Sequence, residues 1–96
     1  MTEQSKETLF DSIRSQRCLV CSKLGVDVAH VKTRGSGGPD EAWNLMSLCR
    51  RDHAIQHQIG IVSFIRLHPT VAAYLASNGW VIENGKLWND RLNPSL

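Results

Sequence analysis

This 96-residue sequence has no long apolar run, its first residues lack the pattern of a secretion signal, and its cysteines are odd in number. No stretch reaches the roughly eighteen apolar residues that a membrane-spanning helix needs. The opening MTEQSKETLF lacks the basic and then apolar order of a signal peptide, so we expect a cytoplasmic protein without a membrane partner. Three cysteines cannot all pair with one another, and in a reducing compartment a Cys-x-x-Cys pair favours metal binding or redox chemistry over a disulfide.

The chain is short, 42% hydrophobic and nearly balanced in charge, at +2. This composition predicts one domain over residues 1–96, with a core small enough to benefit from a structural metal. Five cations and one anion lie between residues 14 and 34, which gives that stretch a formal charge of +4. Such a basic face is either solvated surface or a surface for an anionic partner such as nucleic acid.

The apolar pattern of the first sixty residues predicts helix, strand, loop, strand and helix. We expect an amphipathic helix over residues 3–16 and a β-branched strand over Val26–Val31, followed by a glycine-rich loop. A second strand is predicted over Leu45–Leu48 and a helix over Arg50–Gln58, which Gly60 ends.

The remaining third of the chain predicts two further helices and a hairpin. One helix stops before Pro69, and the next covers Pro69–Ser77 with the proline in its first turn. Alternation over Trp80–Trp88 around Asn84-Gly85 predicts a β-hairpin in which Val81 faces the last tryptophan. The predicted fold class is therefore α+β.

The stretch from Cys18 to His57 contains His30, Asn44 and His53 in the order and setting that resembles an HNH nuclease (ββα-metal, or His-Me finger). The resemblance implies a small ββα-metal core over residues 18–58 with a zinc knuckle. The predicted N-terminal helix, and the predicted C-terminal helices and hairpin over residues 61–92, would flank this core. The resemblance also implies a metal-dependent endonuclease that hydrolyses DNA phosphodiester bonds. Similar short HNH proteins occur in phages and prophages, where they serve recombination, packaging or DNA processing.

The resemblance assigns a role to each motif residue. His30 matches the general base that takes a proton from the attacking water, and a neutral imidazole can accept one near neutral pH. Asn44 matches the residue that orients the base or supports the metal. His53 and His57 lie one helical turn apart on one face, where they can hold a divalent ion such as Mg²⁺, Mn²⁺ or Ni²⁺.

One position departs from the family pattern. The residue before the base is commonly a metal ligand, but here it is Ala29, and Asp27 on the same strand face lies about 6.5 Å farther along. Three hypotheses follow: a weak or metal-selective nuclease, a zinc-knuckle module that binds nucleic acid without cutting, and a metal-stapled protein that docks on a recombination or packaging factor.

Three cysteines match the zinc knuckle of many HNH domains. Cys18 and Cys21 precede the first strand and Cys49 precedes the helix, while Asp52 stands where a fourth cysteine or histidine is usual. Carboxylate oxygen is an accepted zinc ligand. Two alternatives stay open: His53 completes the site instead, or the knuckle holds no metal and its cysteines are buried as small hydrophobes.

Four basic residues flank the motif, namely Lys32, Arg34, Arg50 and Arg51. We expect them to contact the phosphates of DNA, with RNA as the alternative substrate, in a salt-sensitive and largely sequence-independent manner. Each could equally be an ordinary surface cation. The sequence gives no indication of oligomeric state.

Overall fold

The computed structural model of the protein describes residues 5–92 as an α+β fold, which confirms the predicted class. The helices and strands, in chain order, are α1 (Lys6–Arg14), β1 (Asp27–His30), β2 (Leu45–Leu48), α2 (Arg50–Ile59), α3 (Ile61–Leu67), α4 (Pro69–Ser77), β3 (Trp80–Glu83) and β4 (Lys86–Asn89). Within residues 5–92, no helix combines the length and apolar character that crossing a bilayer would need.

The centre of the fold is the predicted strand, loop, strand and helix. Strands β1 and β2 pair antiparallel, with Asp27 opposite Leu48 and His30 opposite Leu45. Helix α2 packs against both strands, and α1, whose Ile13 is buried, packs on the same pair. The motif residues at the end of β1 and on α2 are therefore parts of one packed unit.

Helix α1 is shorter than predicted. Ser5 caps it by accepting a hydrogen bond from the Thr8 backbone N–H at 3.1 Å, and the helix ends at Arg14 instead of near Gln16. Residues 3 and 4 of the predicted helix lie outside the described residues.

The hydrophobic core lies between the β1–β2 sheet, residues 18–21 before β1, the C-terminal helices α3 and α4, and the hairpin. Phe64 from α3 and Leu75 from α4 are fully or almost fully buried there. Burial of this apolar surface holds the elements together. The core cluster contains Cys18, Val26, Ala29, Val31, Met46, Leu48, Phe64, Ile65, Val71, Leu75 and Trp80.

The C-terminal hairpin is built as predicted. Asn84 and Gly85 have φ of +53° and +76°, the pair of left-handed conformations that a two-residue type I′ turn requires. Val81 pairs with Trp88 across the strands. The buried Trp80 donates its indole N–H to the carbonyl of Trp43 at 2.8 Å, which anchors the hairpin to the segment before β2.

Candidate functional site

A compact cluster of three cysteines and one aspartate joins the segment before β1 to the start of α2; we call it the knuckle cluster. Its members are Cys18, Cys21, Cys49 and Asp52, whose ligand atoms all lie within 4.8 Å of one another. The sulfurs of Cys21 and Cys49 are 3.8 Å apart, and Oδ2 of Asp52 lies 3.3 Å from the sulfur of Cys18 and 3.0 Å from that of Cys49. Ligands of one tetrahedral zinc would be about 3.8 Å apart for two sulfurs and about 3.5 Å for sulfur and oxygen. The cluster is consistent with a zinc knuckle and could hold one metal ion.

Burial and hydrogen bonding set the protonation of this cluster. Burial raises the pKa of Cys49 to about 11, whereas a backbone hydrogen bond at Lys23 lowers the pKa of Cys21. Burial opposes ionisation of Asp52, but hydrogen bonds from the thiols of Cys49 and Cys18 outweigh it and lower the pKa of that carboxyl. Because a metal binds the thiolate form, loading the cluster would release thiol protons.

The helix α2 histidines form a second group that is separate from the knuckle cluster. His53 and His57 face each other with 3.2 Å between their Nε2 atoms. Two nitrogens that bind one ion at about 2.1 Å lie about 3.0–3.4 Å apart, so this spacing also fits a shared divalent ion. The structure thus places Asp52 with the cysteines and His53 with the other histidine.

Asp27 contacts the ring nitrogen of His53 that does not face His57. Its Oδ2 lies 3.1 Å from Nδ1 of His53, and this hydrogen bond, with Arg50 nearby, lowers the pKa of the Asp27 carboxyl. An ionised carboxylate accepts the Nδ1 proton and leaves the Nε2 lone pair facing His57. The Asp27 carboxylate is thus engaged by His53 and Arg50, and Ala29 on the same strand is fully buried in the core.

The candidate base bonds to an aspartate that the sequence analysis did not single out. Nε2 of His30 lies 2.7 Å from Oδ1 of Asp40, and both side chains are 16% exposed. Arg34 Nε and Lys6 Nζ also contact this carboxylate, at 3.0 Å and 2.9 Å. These partners, His30 first, hold the pKa of Asp40 well below its usual range.

Asn44 bonds to the loop backbone and not to the imidazole of the candidate base. Its Oδ1 accepts the Lys32 N–H at 2.9 Å, and its Nδ2 donates to the carbonyls of Lys32 and Pro39 at 3.0 Å and 2.9 Å. The side chain is fully buried. It therefore ties together the two ends of the loop between His30 and Asp40.

His30 and the histidine pair of α2 line the same cleft, which has a volume of about 440 Å³. His30 lines it from the end of β1, while His53 and His57 line it from α2. Phe10 of α1 meets the His30 ring edge to face, with centroids 6.4 Å apart, and forms another wall. The cleft is lined by Phe10, Arg14, Val26, Asp27, Val28, His30, Thr33, Arg34, His53 and His57.

Of the four predicted phosphate-binding residues, only Arg34 lines this cleft. Arg50 lies at its edge, 3.5 Å from Asp27. Arg51 instead contacts Asp52 of the knuckle cluster at 3.6 Å. Lys32 lines a different concavity beside the hairpin, together with residues that include Lys86 and Trp88.

Sequence reasoning did not identify as site residues Phe10 and Arg14, which line the cleft, or Asp40, which contacts His30 of the cleft. In the sequence Arg14 stands out only as part of the basic stretch, and Phe10 only as an apolar residue of α1. The guanidinium carbons of Arg14 and Arg34 each lie 5.7 Å from the Phe10 ring centroid. Asp40 gave one signal, as an acid in the loop between the predicted base and Asn44, but the spacing alone does not show what it contacts.

Comparison with known proteins places this core in a family. A family model described as "Putative HNHc nuclease" matches residues 1–78, which include the knuckle cluster, β1, β2 and α2 but not the β3–β4 hairpin. No curated protein and no solved structure matches the chain. Because the match covers most of the chain and the whole strand, loop, strand and helix core, the chain belongs to this family of HNHc nucleases, whose name implies a nucleic acid substrate.

Proposed function

We propose that the protein is a metal-dependent endonuclease that hydrolyses DNA phosphodiester bonds in the cleft between α1, β1 and α2. The observation that carries this proposal is that His30 and the pair His53 and His57 line one cleft although they come from different elements. A phosphodiester bound there would meet a proton acceptor and a metal-holding pair together. Phage or prophage DNA processing is the biological setting that the resemblance suggests.

In the proposed reaction His30 is the general base. It takes a proton from water while the water oxygen attacks phosphorus and the bond to the leaving oxygen breaks. His30 is mostly buried, so its ring is held in place, and Phe10 packs against its edge.

His53 and His57 are the proposed holders of the divalent ion. Their Nε2 spacing of 3.2 Å and the carboxylate of Asp27 behind His53 support this assignment. When bound, a divalent ion supplies Lewis-acid stabilisation of the charge that develops on the phosphate and the leaving oxygen. Two protein ligands are few, but waters and substrate phosphate can complete the coordination of a divalent ion, as they do for magnesium held by one or two carboxylates.

Arg14 and Arg34 are the proposed phosphate contacts beside the scissile bond. The guanidinium carbon of each lies 5.7 Å from the Phe10 ring centroid, and both arginines line the cleft. Arginine presents paired donors that match phosphate oxygens. Lys32 and Arg50 are proposed to contact the nucleic acid farther from the bond that is cut.

The knuckle cluster is proposed to hold a structural zinc. It links the segment before β1 to the first turn of α2, and a metal there would position the helix that presents His53 and His57. A domain of this size gains stability from such a staple.

A binding module without cleavage is the second candidate function. The observation in its favour is that Ala29, where the family commonly has a metal ligand, is fully buried and offers no donor atom. This candidate keeps the basic cleft and the knuckle cluster but predicts nucleic acid binding alone.

The test is conversion of supercoiled plasmid to nicked and linear forms with Mg²⁺, Mn²⁺, Ni²⁺ or Zn²⁺, against a chelator control. His30→Ala, His53→Ala and His57→Ala are compared with His68→Ala, a matched histidine change outside the cleft. We expect His68→Ala to cut normally and His30→Ala to lose about 10²–10⁴-fold in rate, the usual contribution of a general base.

Two outcomes would refute the nuclease assignment. One is the absence of cutting with every cation, which supports the binding module if DNA is still bound in a salt-sensitive way. The other is cutting that persists unchanged in His30→Ala. A parallel assay with RNA decides between the two nucleic acids, and comparing Arg34→Ala with the exposed Arg66→Ala tests the phosphate contact.

A further inference from the structure

The bond between His30 and Asp40 is the tightest polar contact made by any of the cleft histidines in the described part of the chain. Nε2 and Oδ1 are 2.7 Å apart, against 3.1 Å for His53 with Asp27 and 3.2 Å for the histidine pair. Both partners are only 16% exposed. Solvent therefore screens this contact less than it screens an exposed surface ion pair.

The charge on Asp40 determines which partner donates. The hydrogen bond from His30, followed by those from Lys6 at Oδ2 and Arg34 at Oδ1, lowers the pKa of the Asp40 carboxyl. An ionised carboxylate can only accept hydrogen bonds, so Nε2 of His30 carries the hydrogen. The lone pair of the neutral imidazole is then on Nδ1, and within residues 5–92 no hydrogen bond reaches that atom.

The loop that carries Asp40 is held by a buried amide. Asn44, fully buried, donates to the carbonyl of Pro39, immediately before Asp40, and bonds to both backbone groups of Lys32, two residues after His30. The loop that separates the acid from the imidazole is thereby pinned at both ends. A pinned acceptor fixes the orientation of the ring as well as its tautomer.

We propose that Asp40 is a positioning residue for His30, which holds the proton on Nε2 and presents Nδ1 to the attacking water. This inference rests on the proposed function. The water proton moves to Nδ1 as the water oxygen bonds to phosphorus and the leaving oxygen departs with the bonding pair. The leaving oxygen then takes a proton from solvent. Asp40 itself accepts no proton and touches no reacting atom.

The experiment compares Asp40→Ala and Asp40→Asn with Glu41→Ala. The control removes the same charge one residue away, from an exposed side chain that makes no cap hydrogen bond. Single-turnover plasmid cutting is measured at several DNA concentrations, with and without added formate. Nuclear magnetic resonance of ¹⁵N-labelled protein in magnesium buffer reports which ring nitrogen of His30 carries the proton.

In cleavage, we expect Asp40→Ala to lower the rate at saturating DNA by at least about tenfold, with a ceiling at the loss in His30→Ala of about 10²–10⁴-fold. The apparent affinity for DNA should change by less than about threefold, since a positioning residue acts on the chemical step. Formate should restore part of the rate in Asp40→Ala and none in His30→Ala. Glu41→Ala should match the wild type.

In the spectra, we expect wild-type His30 to carry its proton on Nε2, with a downfield signal that disappears in Asp40→Ala and persists in Glu41→Ala. A wild-type ring protonated on Nδ1, or an unchanged His30 signal in Asp40→Ala, would overturn the inference whether or not the protein cuts DNA. The inference would also be overturned if the wild type cuts DNA and both Asp40→Ala and Asp40→Asn cut it at the wild-type rate. That result would leave the proposed nuclease function intact. Absence of cutting in the wild type would count against the nuclease function, and the spectra would still decide the role of Asp40.

Discussion

Replacing Asn44 with alanine should destabilise the protein by about 2–4 kcal/mol. The side chain is fully buried and makes three hydrogen bonds of 2.9–3.0 Å to the backbone of Lys32 and Pro39. Each such bond contributes about 0.5–1.5 kcal/mol net, and buried groups left without a partner add to the loss. In a domain of this size the change corresponds to a fall in Tm of roughly 10–20 °C.

Asn44→Asp is the matched variant. Its carboxylate can still accept the Lys32 N–H, but it cannot donate to the carbonyls of Lys32 and Pro39. It would place an oxygen against two other oxygens at about 3 Å, the distances now held by Nδ2. We therefore expect Asn44→Asp, with its new carboxyl ionised, to destabilise the protein more than Asn44→Ala does.

Urea unfolding followed by tryptophan fluorescence, at a fixed zinc concentration, measures both variants, with the slope m unchanged if the reasoning holds. Unfolding free energies within about 0.5 kcal/mol of the wild type would refute the loop-staple account. A variant that is fully stable but inactive would point instead to the direct role beside the base that the family resemblance suggests.

Chelation should remove about one zinc per chain and lower Tm, because the knuckle cluster joins segments far apart in sequence; metal analysis with a melting curve checks this, and an unchanged melt contradicts it. Gly38→Ala should unfold or displace the loop, since a Cβ there would overlap the carbonyl oxygen of Lys32, and a wild-type melting curve would refute it. Trp80→Phe should lower the unfolding free energy in urea by about 1–3 kcal/mol by leaving the Trp43 carbonyl without its donor, whereas an unchanged midpoint would not fit. Lowering the pH should reduce the unfolding free energy of the wild type more steeply than that of Asp40→Asn. The pKa of the Asp40 carboxyl in the folded protein lies below its unfolded value near 3.8, so its stabilisation is present above about pH 4 and is lost as the pH falls toward the folded pKa. Parallel curves of unfolding free energy against pH for the two proteins would contradict this.

Much of the fold could be predicted from local pattern alone. The second strand, α4 and the Asn84-Gly85 hairpin follow from alternation, proline placement and turn chemistry, which act over a few residues. The Cys-x-x-Cys spacing by itself likewise indicates a metal cluster. These features need only neighbouring residues, so the linear sequence contains the necessary information.

The residues between Cys18 and His57 also predicted membership of the HNH nuclease family, and the family match over residues 1–78 confirms it. The roles assigned to His30, His53 and His57 stay predictions, which the cutting assays address. The choice between Asp52 and His53 as partner of the cysteines could not be made from spacing, because both lie near the start of α2 and only their direction from the helix axis separates them.

Only the tertiary structure decided what surrounds the candidate base. The packing of α1 on the β1–β2 sheet brings Phe10 against His30, and the pinned loop brings Asp40 to its Nε2. The same packing directs Arg34 into the cleft and Lys32 toward the hairpin. Such contacts depend on how elements distant in sequence pack together, and the periodicity within each element does not encode that arrangement.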